Sequence, residues 1–239
     1  MTEALAQGYF TPTRAPERSI SFDFLIWAPV LLFSMVAHEY AHAEAAYRQG
    51  DDTAYMLGRL TMNPLKHIDP FMTVLLPIVL WVSSGGRYTF GAAKPVPVNP
   101  RNYRRYVRGD VIVSLAGIAT NLVLFVVFTG VFALVGILGQ GMPALGESWR
   151  ILQQMAKYGM AFNLILAFFN LIPIPPLDGS KILYGLLPVR TANQYSGLMA
   201  QYGGILLVVL LVSGATSRII MPAVIQSLGL ILGHQFTYG

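Results

Sequence analysis

The feature that most limits how this chain can fold is a long uncharged stretch of apolar residues, from Val111 to Leu138. As an α-helix rising 1.5 Å per residue it would be about 42 Å long, more than the roughly 30 Å hydrocarbon core of a bilayer. Only 11% of all residues are charged, whereas soluble domains average about a quarter. Because a backbone in lipid must satisfy its own hydrogen bonds, this stretch predicts a membrane-spanning helix.

Other apolar segments repeat this pattern along the chain. Residues 22–47 predict a helix long enough to span, residues 151–171 predict another span, and residues 203–232 predict one broken helix or two. Residues 71–82 are apolar but short, and Pro77 interrupts them, which favours a re-entrant or interfacial piece. We therefore predict an all-α polytopic membrane protein, a bundle of four to six transmembrane helices.

No change of composition divides the chain, so we expect a polar N-terminal segment at 1–20 and a single membrane-embedded domain at 21–239. The net charge is +5, and the basic residues lie between the apolar runs, mainly at 48–66 and 87–108. That distribution is typical of the cytoplasmic loops of membrane proteins. The expected partner is therefore a lipid bilayer, and we expect no binding to nucleic acid. The chain has no cysteine, which excludes disulfides and thiolate metal sites.

Two histidines, His38 and His42, lie four residues apart in the first predicted span, and Glu39 follows the first of them. On a helix the two imidazoles share a face, so both can bind one metal ion. Glu39 is placed to take a proton from a water at that ion, as in zinc peptidases. Ionisable groups within a membrane helix are costly and usually functional. The alternative is the polar end of a helix that enters water.

A catalytic zinc ion needs a third protein ligand and one open position. Asp178 follows a predicted span on the side of the basic loops, although an Asp-Gly pair is also a common turn. Glu147 is the other acidic residue after Asp110, in a loop predicted on the opposite side. His67 is a further candidate, for which a hydrogen bond within its loop is the better interpretation.

Three separated motifs resemble the site-2 protease family of intramembrane zinc metalloproteases, in particular its short bacterial members without PDZ domains. They are His38-Glu39-x-x-His42, Gly117-x-x-x-Asn121, and Asn170-x-x-Pro173 running on to Leu177-Asp178-Gly179. The likeness extends over about residues 22–190.

The resemblance implies an all-α membrane enzyme that holds one Zn²⁺ per chain with His38, His42 and Asp178. Glu39 would be the general base. The substrates would be membrane-anchored proteins or peptides, cleaved in or near their transmembrane helices. The resemblance to bacterial members also implies a place in the cell membrane, a bacterial inner membrane. The basic loops indicate that the active site lies toward the cytoplasm.

Asn121 and Asn170 are amides expected at membrane depth, where an unpaired amide costs several kcal/mol. They could bond the substrate backbone or the developing oxyanion, or they could only join helices. Gly117 is expected to allow close helix packing. Pro173 and Gly179 are expected to support the loop that carries the third ligand.

Residues 91–98 contain two X-Pro pairs, which push the chain into an extended conformation. The resemblance implies that this segment is a short membrane-associated strand, which could pair with an unwound substrate. The alternative is an ordinary cytoplasmic loop.

Two other classes of protein have similar features. A non-catalytic membrane protein that binds or transports metal would also show broken spans and buried ionisable groups, but it has no evident use for Glu39 between two ligands. A di-iron membrane oxygenase needs many histidine ligands, and the four in this chain are too few.

Overall fold

The computed structural model describes residues 19–83 and 93–233. Within these residues the chain is helical and contains no strand. The helices are α1 (Ser19–Gln49), α2 (Thr53–Met56), α3 (Leu76–Ser83), α4 (Tyr106–Gly141), α5 (Gly146–Asn170), α6 (Asp178–Leu186), α7 (Val189–Val212) and α8 (Ala215–Leu232). Short 3₁₀ turns occur at Pro64–Lys66, Pro100–Asn102 and Pro143–Leu145, and a π-helical turn at Pro70–Leu75 leads into α3. The all-α prediction is confirmed for the described residues.

Four helices are long and apolar enough to cross a bilayer: α1 from Phe24 onward, α4, α7 and α8. Large apolar side chains cover their surfaces, for example Val123, Val126 and Leu134 on α4, each more than half exposed. A contiguous apolar surface of this extent is not expected in water, so lipid is the solvent that suits it. The chain is therefore a multi-pass membrane protein, with four candidate spans among the described residues.

The predicted span at residues 151–171 is less apolar than the other four. Residues 151–170 are helical as predicted and belong to α5. Its polar side chains include Gln153 and Asn163, which are buried against protein, where they can be hydrogen-bonded instead of facing lipid. The last predicted segment is two helices, because Gly214 has a positive φ of 69° between α7 and α8.

The predicted membrane-associated strand is not shown by the structure. Residues 91–92 lie outside the described residues, and residues 93–99 run without helix or strand pairing. Pro95 and Pro97 have no N–H to give to a ladder, which explains why this segment is extended but unpaired. Most of the predicted N-terminal segment, residues 1–18, also lies outside the described residues.

The chain divides into two compact units, one of Met1–Ser34 with Asn121–Gly239 and the other of Met35–Thr120. In the first unit, α5 packs against α8, and α7 packs against α6 and α8. Its core contains Phe132 of α4, Ala156, Met160, Ala161 and Leu164 of α5, and Ile220, Val224 and Leu228 of α8.

The second unit contains the C-terminal half of α1, the start of α4 and the connecting segments between them. α1 stops at Gln49 because Gly50 takes a φ of 107°, a left-handed conformation that favours glycine and ends a helix. Two small apolar clusters hold the unit together. They are Ala43 with Ala54 and Val96, and Ala46 with Tyr103 and Val113.

Candidate metal centre

His38 and His42 lie on one face of α1 with their ring nitrogens directed at each other. The two Nε2 atoms are 2.9 Å apart, and the ring planes are nearly perpendicular, at 88°. Two nitrogens that each lie 2.0–2.1 Å from one tetrahedral ion would be about 3.3 Å apart, so a shift of less than about 1 Å would suit both to zinc. The helical spacing therefore produces the convergence that the sequence predicted.

The carbonyl oxygen of Val113 on α4 determines which nitrogen of the neutral His42 ring carries the hydrogen. Nδ1 of His42 lies 2.7 Å from this oxygen. A carbonyl can only accept, so Nδ1 is the nitrogen that carries the hydrogen. Nε2 of neutral His42 then keeps a lone pair, which is the form that binds a metal, and the hydrogen bond fixes the ring orientation.

Gly117, one helical turn after Val113, provides the space beside the two rings. A Cβ at this position would lie 2.5 Å from Cε1 of His42 and 2.6 Å from Cε1 of His38. Real Cβ atoms do not approach other atoms so closely. The close packing predicted for Gly117 is thus packing against the candidate metal ligands themselves.

Glu39 contacts the extended segment that follows the undescribed residues. Its Oε2 accepts a hydrogen bond of 2.7 Å from the backbone N–H of Val96. The carboxylate is partly buried in this position. The Glu39 side chain is therefore held by the backbone N–H of Val96, a residue 57 positions later in the chain.

Asp178 is the first residue of α6 and is only 7% exposed. A carboxylate in the first turn of a helix is stabilised by the helix dipole. Gly179 has to be a glycine, because a Cβ there would overlap the backbone carbonyl of Leu171, just after the end of α5. The end of α5 and the start of α6 can therefore approach closely enough to hold Asp178 in a buried turn.

Among the described residues, His38 and His42 of the second unit each offer an imidazole nitrogen, and Asp178 of the first unit offers a carboxylate oxygen. Two imidazole nitrogens and one carboxylate oxygen are a donor set that suits catalytic zinc. The residues present therefore fit the metal that the motif spacing predicted.

The other candidate ligands have different partners. Glu147 is 79% exposed at its side chain and lies 3.7 Å from Arg150 on the same helix. His67 is fully buried, and its Nε2 lies 2.8 Å from the carbonyl oxygen of Thr61. His67 thus holds its own loop, as the sequence suggested.

Asn121 takes part in a buried network of three helices in the first unit. Its Nδ2 donates to Oδ1 of Asn163 at 2.9 Å, and Nδ2 of Asn163 donates to Oγ of Ser34 at 2.9 Å. All three side chains are 0% exposed. This arrangement favours the interpretation of Asn121 as a residue that joins helices. Asn163 and Ser34 were not singled out from the sequence, although a polar residue in an apolar helix is a usable signal.

Asn170 and Pro173 belong to the loop region that precedes Asp178. The amide of Asn170 donates to the carbonyl oxygen of Leu166 in its own helix at 3.0 Å. The carbonyl oxygen of Pro173 accepts a hydrogen bond of 2.8 Å from the hydroxyl of Tyr195 on α7. This hydrogen bond connects the loop at Pro173 to α7.

Comparison with known proteins places this site in a family. Residues 141–211 match the model of peptidase family M50. The chain is 40% identical over 192 residues to YwhC of Bacillus subtilis, covering 80% of this chain and 82% of that protein. It is 34% identical over 194 residues to Rip2 of Mycolicibacterium smegmatis, covering 78% of this chain and 66% of that protein.

A relative from an archaeon is also similar. MJ0611 of Methanocaldococcus jannaschii is 34% identical over 99 residues, which are 41% of this chain and 46% of that protein. All three relatives carry names that describe them as zinc metalloproteases. No solved structure matches the chain. The chain therefore belongs to peptidase family M50, the site-2 proteases, and is a zinc metalloprotease.

Proposed function

We propose that this protein is an intramembrane protease that hydrolyses peptide bonds in or near the transmembrane helices of membrane-anchored substrates. One observation carries the proposal. The Nε2 atoms of His38 and His42 converge at 2.9 Å, with Glu39 between them in sequence, within a helix that is apolar enough to span a bilayer. Ionisable side chains within a membrane helix are costly and usually functional, so these three residues support a catalytic role.

The ligand set that we propose is His38, His42 and Asp178, holding one Zn²⁺ per chain. The donor types of these three residues and the convergence of the two imidazoles support it. When bound, the ion would polarise the scissile carbonyl and lower the pKa of water at the site toward about 7.

Glu39 is the proposed general base, and the reaction balances around its carboxylate. Glu39 accepts a proton from the attacking water, whose oxygen forms a bond to the carbonyl carbon of the substrate. The C–N bond then breaks, and Glu39 passes the proton to the leaving nitrogen. The products are a new carboxyl terminus and a new amino terminus.

The proposed location is the cell membrane, a bacterial inner membrane, with the site near the cytoplasmic face. His42 lies six residues before Arg48, about 9 Å along α1. Further basic residues follow in the second unit, namely Arg59, Lys66, Arg101, Arg104, Arg105 and Arg108. Basic residues are concentrated on the cytoplasmic side of membrane proteins, so this end of α1 is the one that we assign to the cytoplasm.

The role of Glu39 can be tested with a Glu39→Gln variant, assayed on a membrane-embedded peptide substrate in detergent or liposomes. Glutamine keeps the size of the side chain but cannot take a proton, so zinc content should be unchanged while kcat falls at least about 100-fold. Glu44→Gln is the matched control, because Glu44 is on the same helix and pairs with Arg48 at 2.7 Å. Cleavage by Glu39→Gln at the rate of the control would reject the role.

A further inference from the structure

Three backbone N–H groups of the extended segment 94–99 are held by residues of the second unit. Lys94 donates to the carbonyl oxygen of His67 at 2.8 Å. Val96 donates to Oε2 of Glu39 at 2.7 Å, and Asn99 donates to Oδ2 of Asp51 at 2.6 Å. The bond to Glu39 therefore lies between two anchor points of the same segment.

The anchor at Asp51 is a buried carboxylate with several donors. Asp51 is 0% exposed. Its Oδ1 accepts hydrogen bonds from the hydroxyl of Thr53 at 2.5 Å, the backbone N–H of Thr53 at 3.2 Å and the side-chain amide of Asn102 at 2.9 Å. Because Asp51 lies two residues after the end of α1, this anchor connects the segment to the helix that carries Glu39.

The composition of the segment makes it stiff and restricts its donors. Pro95 and Pro97 fix φ near −65° and have no N–H, so Lys94 and Val96 supply the only backbone donors between residues 94 and 97. The side chain of Val96 is 7% exposed and packs with Ala43 and Ala54. The two prolines keep the segment extended, and in this conformation the Val96 N–H is directed at Oε2 of Glu39.

We propose that Val96 is a positioning residue for the general base, acting through its backbone N–H. The inference rests on the proposed function, because it assumes that Glu39 is the base. The hydrogen bond holds Oε2 and leaves Oε1 to accept the proton of the attacking water. A free glutamate side chain samples several rotamers, whereas a carboxylate fixed at one oxygen is already oriented for the reaction.

A proline substitution removes this donor and little else. Val96→Pro deletes the N–H within a segment that is already extended and rich in proline, whereas Val96→Ala trims the side chain and keeps the N–H. We expect Val96→Pro to lower kcat roughly 10- to 100-fold with KM and zinc content unchanged. Val96→Ala, which keeps the N–H, should retain a kcat at least about 10-fold higher than that of Val96→Pro. Equal kcat values for the two variants would overturn the proposal.

Hydrogen exchange tests the contact without any measurement of activity. Between residues 94 and 99 only Lys94, Val96, Val98 and Asn99 have exchangeable backbone amides. In Glu39→Ala the Val96 amide should exchange at least about 10-fold faster, while Asn99 keeps the protection that Asp51 gives it. An unchanged exchange rate at Val96 would overturn the proposal. This test does not need Val96→Pro, so it remains valid if that variant fails to fold.

The two proposals can fail separately. If Glu39→Gln cleaves substrate normally, Glu39 is not the base and the proposed function is wrong, whatever the exchange data show. If Glu39→Gln is inactive while Val96→Pro keeps the kcat of Val96→Ala, the base is right and the positioning by Val96 is wrong.

Discussion

At the scale of single residues, Gly117 shows how closely the site is packed. The position faces both imidazoles, with room for a hydrogen atom but not for a methyl group. It lies one turn after Val113, whose carbonyl oxygen orients His42. One turn of α4 thus supplies both the hydrogen-bond acceptor and the free space that the two histidines require.

Gly117→Ala should therefore weaken zinc binding. The added methyl group would push at least one imidazole out of place, and a displaced ligand typically costs about 10- to 100-fold in metal affinity. Zinc affinity can be measured by titration against a competing chelator. Gly130→Ala is the control on the same helix, since nothing lies within 4 Å of a Cβ there. Equal affinities for the two variants would show that Gly117 does not position the ligands.

The sequence predicted His38 and His42 as a pair because the helical repeat puts residues four apart on one face. It did not predict the hydrogen bond from Val96 to Glu39. That contact joins residues 57 apart through a backbone N–H. Every residue except proline has this group, so the residue type does not indicate the contact. Asp51 was missed because two acidic residues after a helix, Asp51 and Asp52, are typical of an ordinary polar loop.

At the scale of elements, the apolar runs predicted helices well. α5 was predicted as a span; it is helical, it is less apolar than the four candidate spans, and its polar residues Gln153 and Asn163 are buried against protein. The extended segment near residue 96 was expected as a strand, yet its prolines remove the donors that a ladder needs. Composition alone does not distinguish contact with lipid from contact with neighbouring helices.

The link between α1 and the segment 94–99 depends on the charge of Asp51. Burial acts to raise the pKa of this carboxyl, but hydrogen bonds from Thr53, Asn99 and Asn102 outweigh it and hold the pKa below its usual value of 3.8. A carboxyl with a lowered pKa in the folded state stabilises the fold above its unfolded pKa. That stabilisation is lost as the pH falls below about 4 and through the folded pKa.

Asp51→Asn should therefore unfold at a lower temperature than the wild type at pH 7, by about 2–4 °C for each kcal/mol lost. The difference should shrink as the pH falls below about 4, where the wild type loses the same charge. Thermal unfolding in detergent across this pH range measures both effects. Asp52→Asn is the control, because Asp52 is exposed. A difference independent of pH would show that the charge of Asp51 is not what stabilises the link.

At the scale of the whole molecule, the chain combines an apolar exterior with a few buried polar groups that have defined partners. Four helices have the composition of membrane spans. The buried amides join helices, and the buried carboxylate at Asp51 joins α1 to the segment that holds Glu39. The candidate metal ligands are His38 and His42 in the second unit and Asp178 in the first. Membership in family M50 agrees with this distribution of polar residues.

The most direct test of the central claim is the zinc content and X-ray absorption spectrum of the purified protein and two variants. The account predicts one zinc ion per chain, with two imidazole nitrogens at about 2.0–2.1 Å and oxygen as the other donor. Asp178→Ala should lose zinc or bind it far more weakly, whereas Glu147→Ala, altered at an exposed carboxylate, should match the wild type. Full zinc occupancy and an unchanged spectrum in Asp178→Ala would contradict the account.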